Sequence, residues 1–351
     1  MKILLTGGCG FIGSAVVRHV LRKTPHEIVN IDKMTYAASE AALEEASGNA
    51  RHLLIRADIA DALAMRAVFA EHRPDVVMHL AAETHVDRAI DGPAPFIHSN
   101  IVGTYTLLEA ARAYWNKLDA GARAAFRFHH ISTDEVFGEL ADAAAPFTEA
   151  SPYQPRSPYS ASKAAADHLV RAWHGTYGLP TLVSNTSNNY GPWQFPEKLI
   201  PLTILNALEG KPLPVYGDGG NRRDWIFVED HADALLRVLE RGKIGATYCI
   251  GARQPRRNID VVRAICATVD ELLPDPGGRR ERLIHFVTDR PGHDFRYEID
   301  PTAAETALDW RAEHDLERGI RKTVEWYLAH RSWWERIRAE RYAGQRLGTA
   351  A

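Results

Sequence analysis

MKILLTGGCGFIGSAVVRHVLRK, residues 1–23, carries an apolar run at 3–6 that stops on glycines and resumes at helical spacing over 11–23. A short apolar run bounded by glycine reads as a buried strand, and apolar residues recurring every three or four positions read as a helix. Gly7, Gly10 and Gly13 lie between the two in the spacing GxxGxxG, a strand-to-helix context that gives the motif its meaning. Gly7 permits the tight turn, Gly10 lets backbone approach a pyrophosphate, and Gly13 lets helix meet sheet. The helix N-terminus then faces phosphate with unpaired N–H groups. A plain turn is the alternative reading of these glycines.

The alternation continues outward. EIVNID (27–32), HLLIRADI (52–59), DVVMHLAAE (75–83), FRFHHIST (126–133) and PTLVSN (180–185) read as strands. Residues 61–72, 100–115 and 160–178 read as helices, and the alanine-rich stretch 39–51 has helical character. Strands alternating with helices predict parallel pairing, right-handed crossovers and helices on both faces. The fold class is α/β, a doubly wound parallel sheet of Rossmann type. Beyond residue 186, Pro and Gly cluster at 190–196, 210–220, 274–278 and 290–292, and the regularity fades. The expected division is a dinucleotide-binding domain over 1–186 and a smaller, mixed α/β C-terminal substrate domain over 187–351. ATYCIG (246–251) could return to the first.

The bulk numbers exclude some functions. Among 351 residues, 45% are hydrophobic and 25% charged, an ordinary globular balance. A net charge of −3 argues against nucleic acid or an anionic membrane as partner. Cys9, Cys249 and Cys266 are far apart without a CxxC, which suits a reducing, cytoplasmic compartment and offers no metal-ligand spacing, so no metal is expected. The early glycines argue against a secretory signal or membrane span at the start.

Asp32 ends the second strand, 19 residues after Gly13. A carboxylate there accepts hydrogen bonds from both adenosine ribose hydroxyls and repels a 2′-phosphate, so the cofactor expected is NAD rather than NADP. Lys33 beside it weighs slightly the other way. Asp58 and Ile59 end the third strand, where an adenine ring would lie; Asp58 could equally cap the next helix. Tyr159 and Lys163 form YxxxK, and that spacing brings two side chains to one helix face. A lysine ammonium favours the phenolate, so Tyr159 is expected to have a lowered pKa and to take a hydroxyl proton at neutral pH. Lys163 could also hold the nicotinamide ribose. The bland alternative is a surface pair.

The glycines, Asp32, Tyr159 and Lys163 together resemble the extended short-chain dehydrogenase/reductase family. STDEVFG (132–138) narrows the resemblance, because Asp134 and Glu135 occupy positions where sugar 4-epimerases of the family carry small residues. The acid pair resembles the nucleotide-sugar 4,6-dehydratases. So do DKMTYAA (32–38), HLAAETHVDRAI (79–90), SNNYGPWQFPEKLIP (187–201), RRDWIFVEDHADAL (222–235) and DRPGHDFRYEID (289–300). The reaction implied is oxidation at C4 of a nucleotide-linked glucose, elimination across C5 and C6, and reduction at C6. Thymidine diphosphate is the nucleotide the resemblance favours, with UDP- or CDP-glucose, an epimerase, or a silent NAD-binding protein as alternatives.

The resemblance assigns roles. Tyr159 is the base at O4, Glu135 the base at C5 and Asp134 the acid at O6, with Thr133 on O4. Asp134 must then be protonated at neutral pH, which burial and the charge of Glu135 both favour. It places Phe11, Ile12, Thr35, Leu80, Ala81, Ala82, Thr84 and Asn189 at the cofactor, with Lys33, Asp58 and Ile59. At the substrate it places His85, Asn188, Glu197, Lys198, Leu199, Pro214, Val215, Tyr216, Arg223, Asn258, Asp289, Arg290 and His293, with Arg223 on the diphosphate. His129 and His130, within a strand, read as structural. Thr186, Trp193–Gln194 and 39–51 depart from the family pattern. Relatives pair through two helices per subunit, which implies a homodimer through 100–115 and 160–178, with Leu107, Leu108, Ala111, Leu169, Val170 and Trp173 as its apolar faces.

Overall fold

The computed structural model describes residues 1–289, 292–345 and 347–348. Six strands come first: β1 (Lys2–Thr6), β2 (Glu27–Asp32), β3 (His52–Arg56), β4 (Val76–His79), β5 (Arg127–Thr133) and β6 (Thr181–Thr186). Seven more follow: β7 (Asn188–Tyr190), β8 (Leu213–Tyr216), β9 (Arg222–Phe227), β10 (Thr247–Ile250), β11 (Pro255–Arg257), β12 (Ile284–Val287) and β13 (Arg296–Tyr297). The main sheet has seven strands in the order β10-β6-β5-β4-β1-β2-β3, and all its pairs are parallel. It is a doubly wound α/β sheet of Rossmann type. Its central strands are apolar on both faces because helices cover both. Ile3 and Leu5 face the core beneath the helix Phe11–Lys23, while Leu4 faces the core that holds Phe69, Leu107 and Phe128.

The order reverses at β1. The chain winds β1-β2-β3 to one side, then returns to place β4 on the other side of β1. Such a switch point leaves a crevice at the carboxyl ends of the strands, where doubly wound folds bind ligands.

A further core draws on segments between residues 190 and 334, around Tyr190, Ile204, Trp225, Val262, Ile320 and Tyr327, while the stretch 228–239 packs with the first half of the chain. Here β9 pairs with β7, β11 and β13, and β8 pairs with β12. β10 joins the main sheet beside β6.

Some elements differ from the sequence reading. The stretch 39–51 makes a tight turn of 3₁₀ helix at Glu40–Ala46. A short helix, Val86–Asp91, and a π-helical turn, Ile97–Gly103, precede the helix Thr104–Trp115. The helix Pro158–Tyr177 starts two residues early because Ser157 and Ser160 form a capping box and proline suits the first turn. Leu107, Leu108, Ala111 and Val170 do not form a free apolar face. Each is fully buried in the chain's own core, since both helices must first cover the sheet. What these helices and the π-helical turn expose instead is Ile97, Val102, Tyr105 and Tyr177.

Leu107→Ala is expected to destabilise the fold by about 2–5 kcal/mol, the cost of a core cavity. Urea denaturation checks this; a loss below about 1 kcal/mol would contradict the core placement.

Candidate active site

A cleft of about 430 Å³ runs from the glycine turn, across the strand ends, to β8 and β9. Gly7 sits at φ +78°, and a Cβ there would lie 2.8 Å from the backbone of Ala81. The turn after β1 can therefore touch the strand end of β4 only as glycine. A Cβ on Gly13 would strike the Gly7 carbonyl, so this glycine packs the helix onto the turn itself. The helix Phe11–Lys23 begins at Gly10 with no side-chain cap and no acid in its first turn. Its first N–H groups are left for an anion.

Asp32 spans the turn and the next loop, accepting from Cys9 N at 2.9 Å and Met34 N at 2.8 Å. Burial, the larger effect, raises its pKa against these two bonds. Lys33 donates to Ser99 at 2.6 Å and lies 3.8 Å from Glu83 and 3.9 Å from Asp58. Its charge is balanced within the protein, so it does not provide a site for a 2′-phosphate. Asp58 bonds Ala60 N, and it is Asp61 that caps the following helix. Ile59, Thr35, Leu80, Ala81, Ala82 and Thr84 line the cleft, and Asp58 stands just outside it.

At the end of β5 the chain turns once. Thr133 caps a 3₁₀ turn, Asp134–Phe137, its hydroxyl accepting from Glu135 N at 3.3 Å. A cap with acids in the first turn suffices for a helix start, but that role does not require burial. Asp134 is 1% exposed, and its Oδ2 is sealed without a hydrogen-bond partner. Burial, then the charge of Glu135, pushes its carboxyl well above the ordinary range.

Tyr159, Lys163, Thr133, Asp134 and Glu135 all line the cleft. The expected acidification of Tyr159 does not occur in this state. Burial, then the charge of Glu135, raises the phenol's pKa, against a hydrogen bond with Thr133. Lys163 instead turns its ammonium to the Ile131 carbonyl at 2.8 Å. Burial lowers its own pKa to about 8, with Asp167 opposing.

The far wall gathers His85, Asn188, Asn189, Glu197, Lys198, Leu199, Pro214, Val215, Tyr216, Arg223, Asn258 and His293. Asp289 is one bond behind it, 2.6 Å from His293. Arg290 lies outside the described residues. Of the neighbouring arginines, Arg223 reaches the cleft, stacked 4.3 Å over Tyr297 and bonded to the Asp294 carbonyl. Arg222 pairs with Asp142 instead. Asn188 and Asn258 each carry a buried Oδ1 without a partner, and Trp225 a buried Nε1. Unmet polar groups on one wall suit a ligand rich in donors and acceptors.

A brace crosses the cleft. Glu197 accepts from Tyr36 OH and Arg88 Nε, both at 2.8 Å, and the Arg88 guanidinium lies 3.9 Å over the Tyr36 ring. Tyr36 and Arg88 sit inside the motifs quoted above, but no spacing rule pairs residues 161 positions apart. At the departures, Gln194 bonds the Asn189 carbonyl at 2.9 Å and Trp193 packs on Trp326. Among the described residues, no cluster of His, Cys, Asp and Glu could hold a metal, and no helix is long and apolar enough to cross a membrane.

Sheet topology, uncapped helix start and buried acid describe one class of protein, and residues 4–323 match the family model for GDP-mannose 4,6 dehydratase. The chain belongs to that family. It is 57% identical over 351 residues to the dTDP-glucose 4,6-dehydratase of Neisseria meningitidis serogroup B, covering 99% of each chain. It is also 57% identical over 350 residues to dTDP-glucose 4,6-dehydratase 1 of Escherichia coli K12, covering 97% of each. Its structure resembles that of DesIV, the dTDP-glucose 4,6-dehydratase of Streptomyces venezuelae, solved with NAD bound. The TM-score is 0.87 and identity 39%, over 96% of this chain and all of that one.

Folded Asp134 keeps its proton to higher pH than the unfolded chain does. The folded state therefore loses stability as pH rises past the unfolded value of 3.8. Asp134→Asn removes that loss. The variant is expected to melt above the parent at about pH 7 and with it at about pH 3; thermal unfolding across that range tests this, and a constant difference would contradict it.

Proposed function

We propose that this chain is an NAD-dependent lyase that converts dTDP-glucose into dTDP-4-keto-6-deoxyglucose. The observation that carries the reading is one sealed, proton-holding carboxyl beside a second carboxyl on a single turn, with Tyr159 and Lys163 on the same cleft. The near full-length relatives that bear the name support it.

The residues suit NAD. The uncapped helix start suits a pyrophosphate, and Asp32, with Lys33 already balanced, suits an unphosphorylated ribose. NAD, when bound, takes a hydride from C4 of the glucose and later gives it to C6. Tyr159, once it has given up its own proton, takes the O4 proton, with Thr133 beside it. Lys163, an ammonium up to about pH 8, is the cation that the YxxxK helix brings to the same cleft. The C4 ketone acidifies the C5 proton, and Glu135 removes it, returning a proton to C5 when the hydride reaches C6. Asp134 gives its proton to the C6 hydroxyl, which leaves as water. Acid and base must serve adjacent carbons, and neighbouring residues on one turn can do so. Each such group contributes on the order of 10²–10⁴ in rate. Arg223 and Lys198 hold the diphosphate, and Asn188, Glu197, Asn258 and β8 the rest of the nucleotide sugar.

We assign the dinucleotide to residues 1–186 and the nucleotide sugar to 187–351, the latter supported by the core drawn from segments between 190 and 334. Three buried, unpaired cysteines support a cytoplasmic location. Ile97, Val102, Tyr105 and Tyr177, from 40% to 48% exposed, support a homodimer through these helices.

Glu135→Gln is expected to retain NAD and lose dehydration by at least about 10²-fold, followed as the alkali-induced absorbance of a 4-keto-6-deoxy sugar. Tyr159→Phe is expected to form no reduced cofactor on adding dTDP-glucose. A product inverted at C4, or preference for UDP- or CDP-glucose, would overturn the assignment. Tyr105→Asp is expected to convert a species of twice the chain mass into one of single mass in ultracentrifugation; a parent already of single mass would refute the dimer.

A further inference from the structure

The reaction above leaves several buried ionisable groups unused, Asp167 among them. Asp167 lies one helical turn beyond Lys163 and is fully buried, while Lys163 is 4% exposed. The Asp167 carboxylate stands 3.1 Å from His130 Nε2, accepts from Tyr153 OH at 2.7 Å and accepts from Asn185 Nδ2 at 3.1 Å. The same His130 Nε2 lies 3.5 Å from Lys163 Nζ. One imidazole nitrogen therefore stands between an ammonium and a carboxylate. On the other side, Asn185 Nδ2 also donates to the Thr133 carbonyl at 3.1 Å. Asp167 thus reaches both halves of the site: Lys163 on its own helix by way of His130, and the strand end carrying Thr133, Asp134 and Glu135 by way of Asn185.

We propose that Asp167 is a positioning residue of the reaction, the buried counter-charge that keeps Lys163 protonated and, through Asn185, fixes the turn that bears the two catalytic acids. The proposal rests on the function given above for that site.

The neighbours leave no other residue in this role. His130 is pulled down to about 4 by burial, then by the charge of Lys163, so it is neutral at pH 7. The neutral ring thus leaves the Asp167 carboxylate, 3.1 Å from Nε2, as the anion facing Lys163 across it. His79 on β4, its ring 5.0 Å from His130, is held neutral by burial. The Tyr153 phenol is raised by burial, then by Asp167, and is a neutral donor. Arg171 donates to the Tyr153 hydroxyl, at 2.7 Å, and to Thr247. Tyr159 is raised and neutral. Burial pushes Asp167 itself up, but His130, Lys163 and Ser132 outweigh it and leave it below the ordinary carboxylate range. A buried lysine without an opposite charge gives up its proton readily.

Two measurements test this. The first is the pH profile of kcat/KM for the parent and Asp167→Asn. The alkaline limb of the variant is expected to fall by about one pH unit or more, as Lys163 loses its proton earlier. A merely structural aspartate would lower the melting temperature and leave the limb in place, and that result overturns the proposal. The second is a thermal-stability cycle with Lys163→Met, which needs no turnover and so separates this proposal from the assigned reaction. The melting loss from Asp167→Asn is expected to shrink to about half or less when Lys163 is already Met; equal losses overturn the proposal. Should Asp167→Asn not fold, recovery of a folded, NAD-binding protein in the double variant supports it, and failure of both variants overturns it.

Discussion

The structure depends on the contact between the turn after β1 and the end of β4. Strand order reverses there, so two loops diverge and leave a crevice, and the backbone of Gly7 fills the narrow side against Ala81. Any side chain at Gly7 would push β1 and β4 apart at their carboxyl ends. The helix start aimed at the crevice, Asp32 at the end of β2 and the catalytic turn at the end of β5 all take their positions from that spacing. The cleft is a consequence of how the sheet is wound, and the chemistry is distributed around its rim.

A second constraint is the handling of charge away from water. Asp134, Lys163 and Asp167 are all buried, yet the surroundings treat them differently. Asp134 has a sealed oxygen with no donor and a like charge beside it, which favours the neutral acid. Asp167 accepts from Tyr153 and Asn185, stands 3.1 Å from His130 and has an ammonium one turn away, which favours the anion. Two carboxyls on neighbouring elements are thereby held in opposite protonation states, the condition under which one site supplies both an acid and a fixed negative charge. Asp134 is a net cost to the fold, consistent with active sites that trade stability for reactivity.

The first half of the fold was legible because its signals are local. The apolar runs of β1, β2, β5 and β6 and the periodicity of 11–23 and 61–72 each depend on residues within a few positions of one another. The acid pair was legible for the same reason: adjacent carboxylates at a strand end are anomalous in any window that contains them. The helix Val86–Asp91 and the π-helical turn after it were not, because tertiary packing around Phe96 and Tyr159 holds them and their own periodicity is weak. Leu107 and Val170 read as a free apolar face, since an amphipathic pattern shows that a stripe is buried without showing against what.

From the sequence alone came the parallel α/β winding, the glycine turn, Asp32 and the residue types of the reacting turn, all set by contacts between near neighbours. Only the tertiary structure decided that Asp134 is sealed, that Lys163 turns to Ile131 and His130 rather than to acidify Tyr159, and that Tyr36 and Arg88 close on Glu197. Those outcomes depend on burial and on distances between groups tens to hundreds of positions apart, and the local pattern of a chain does not encode a dielectric.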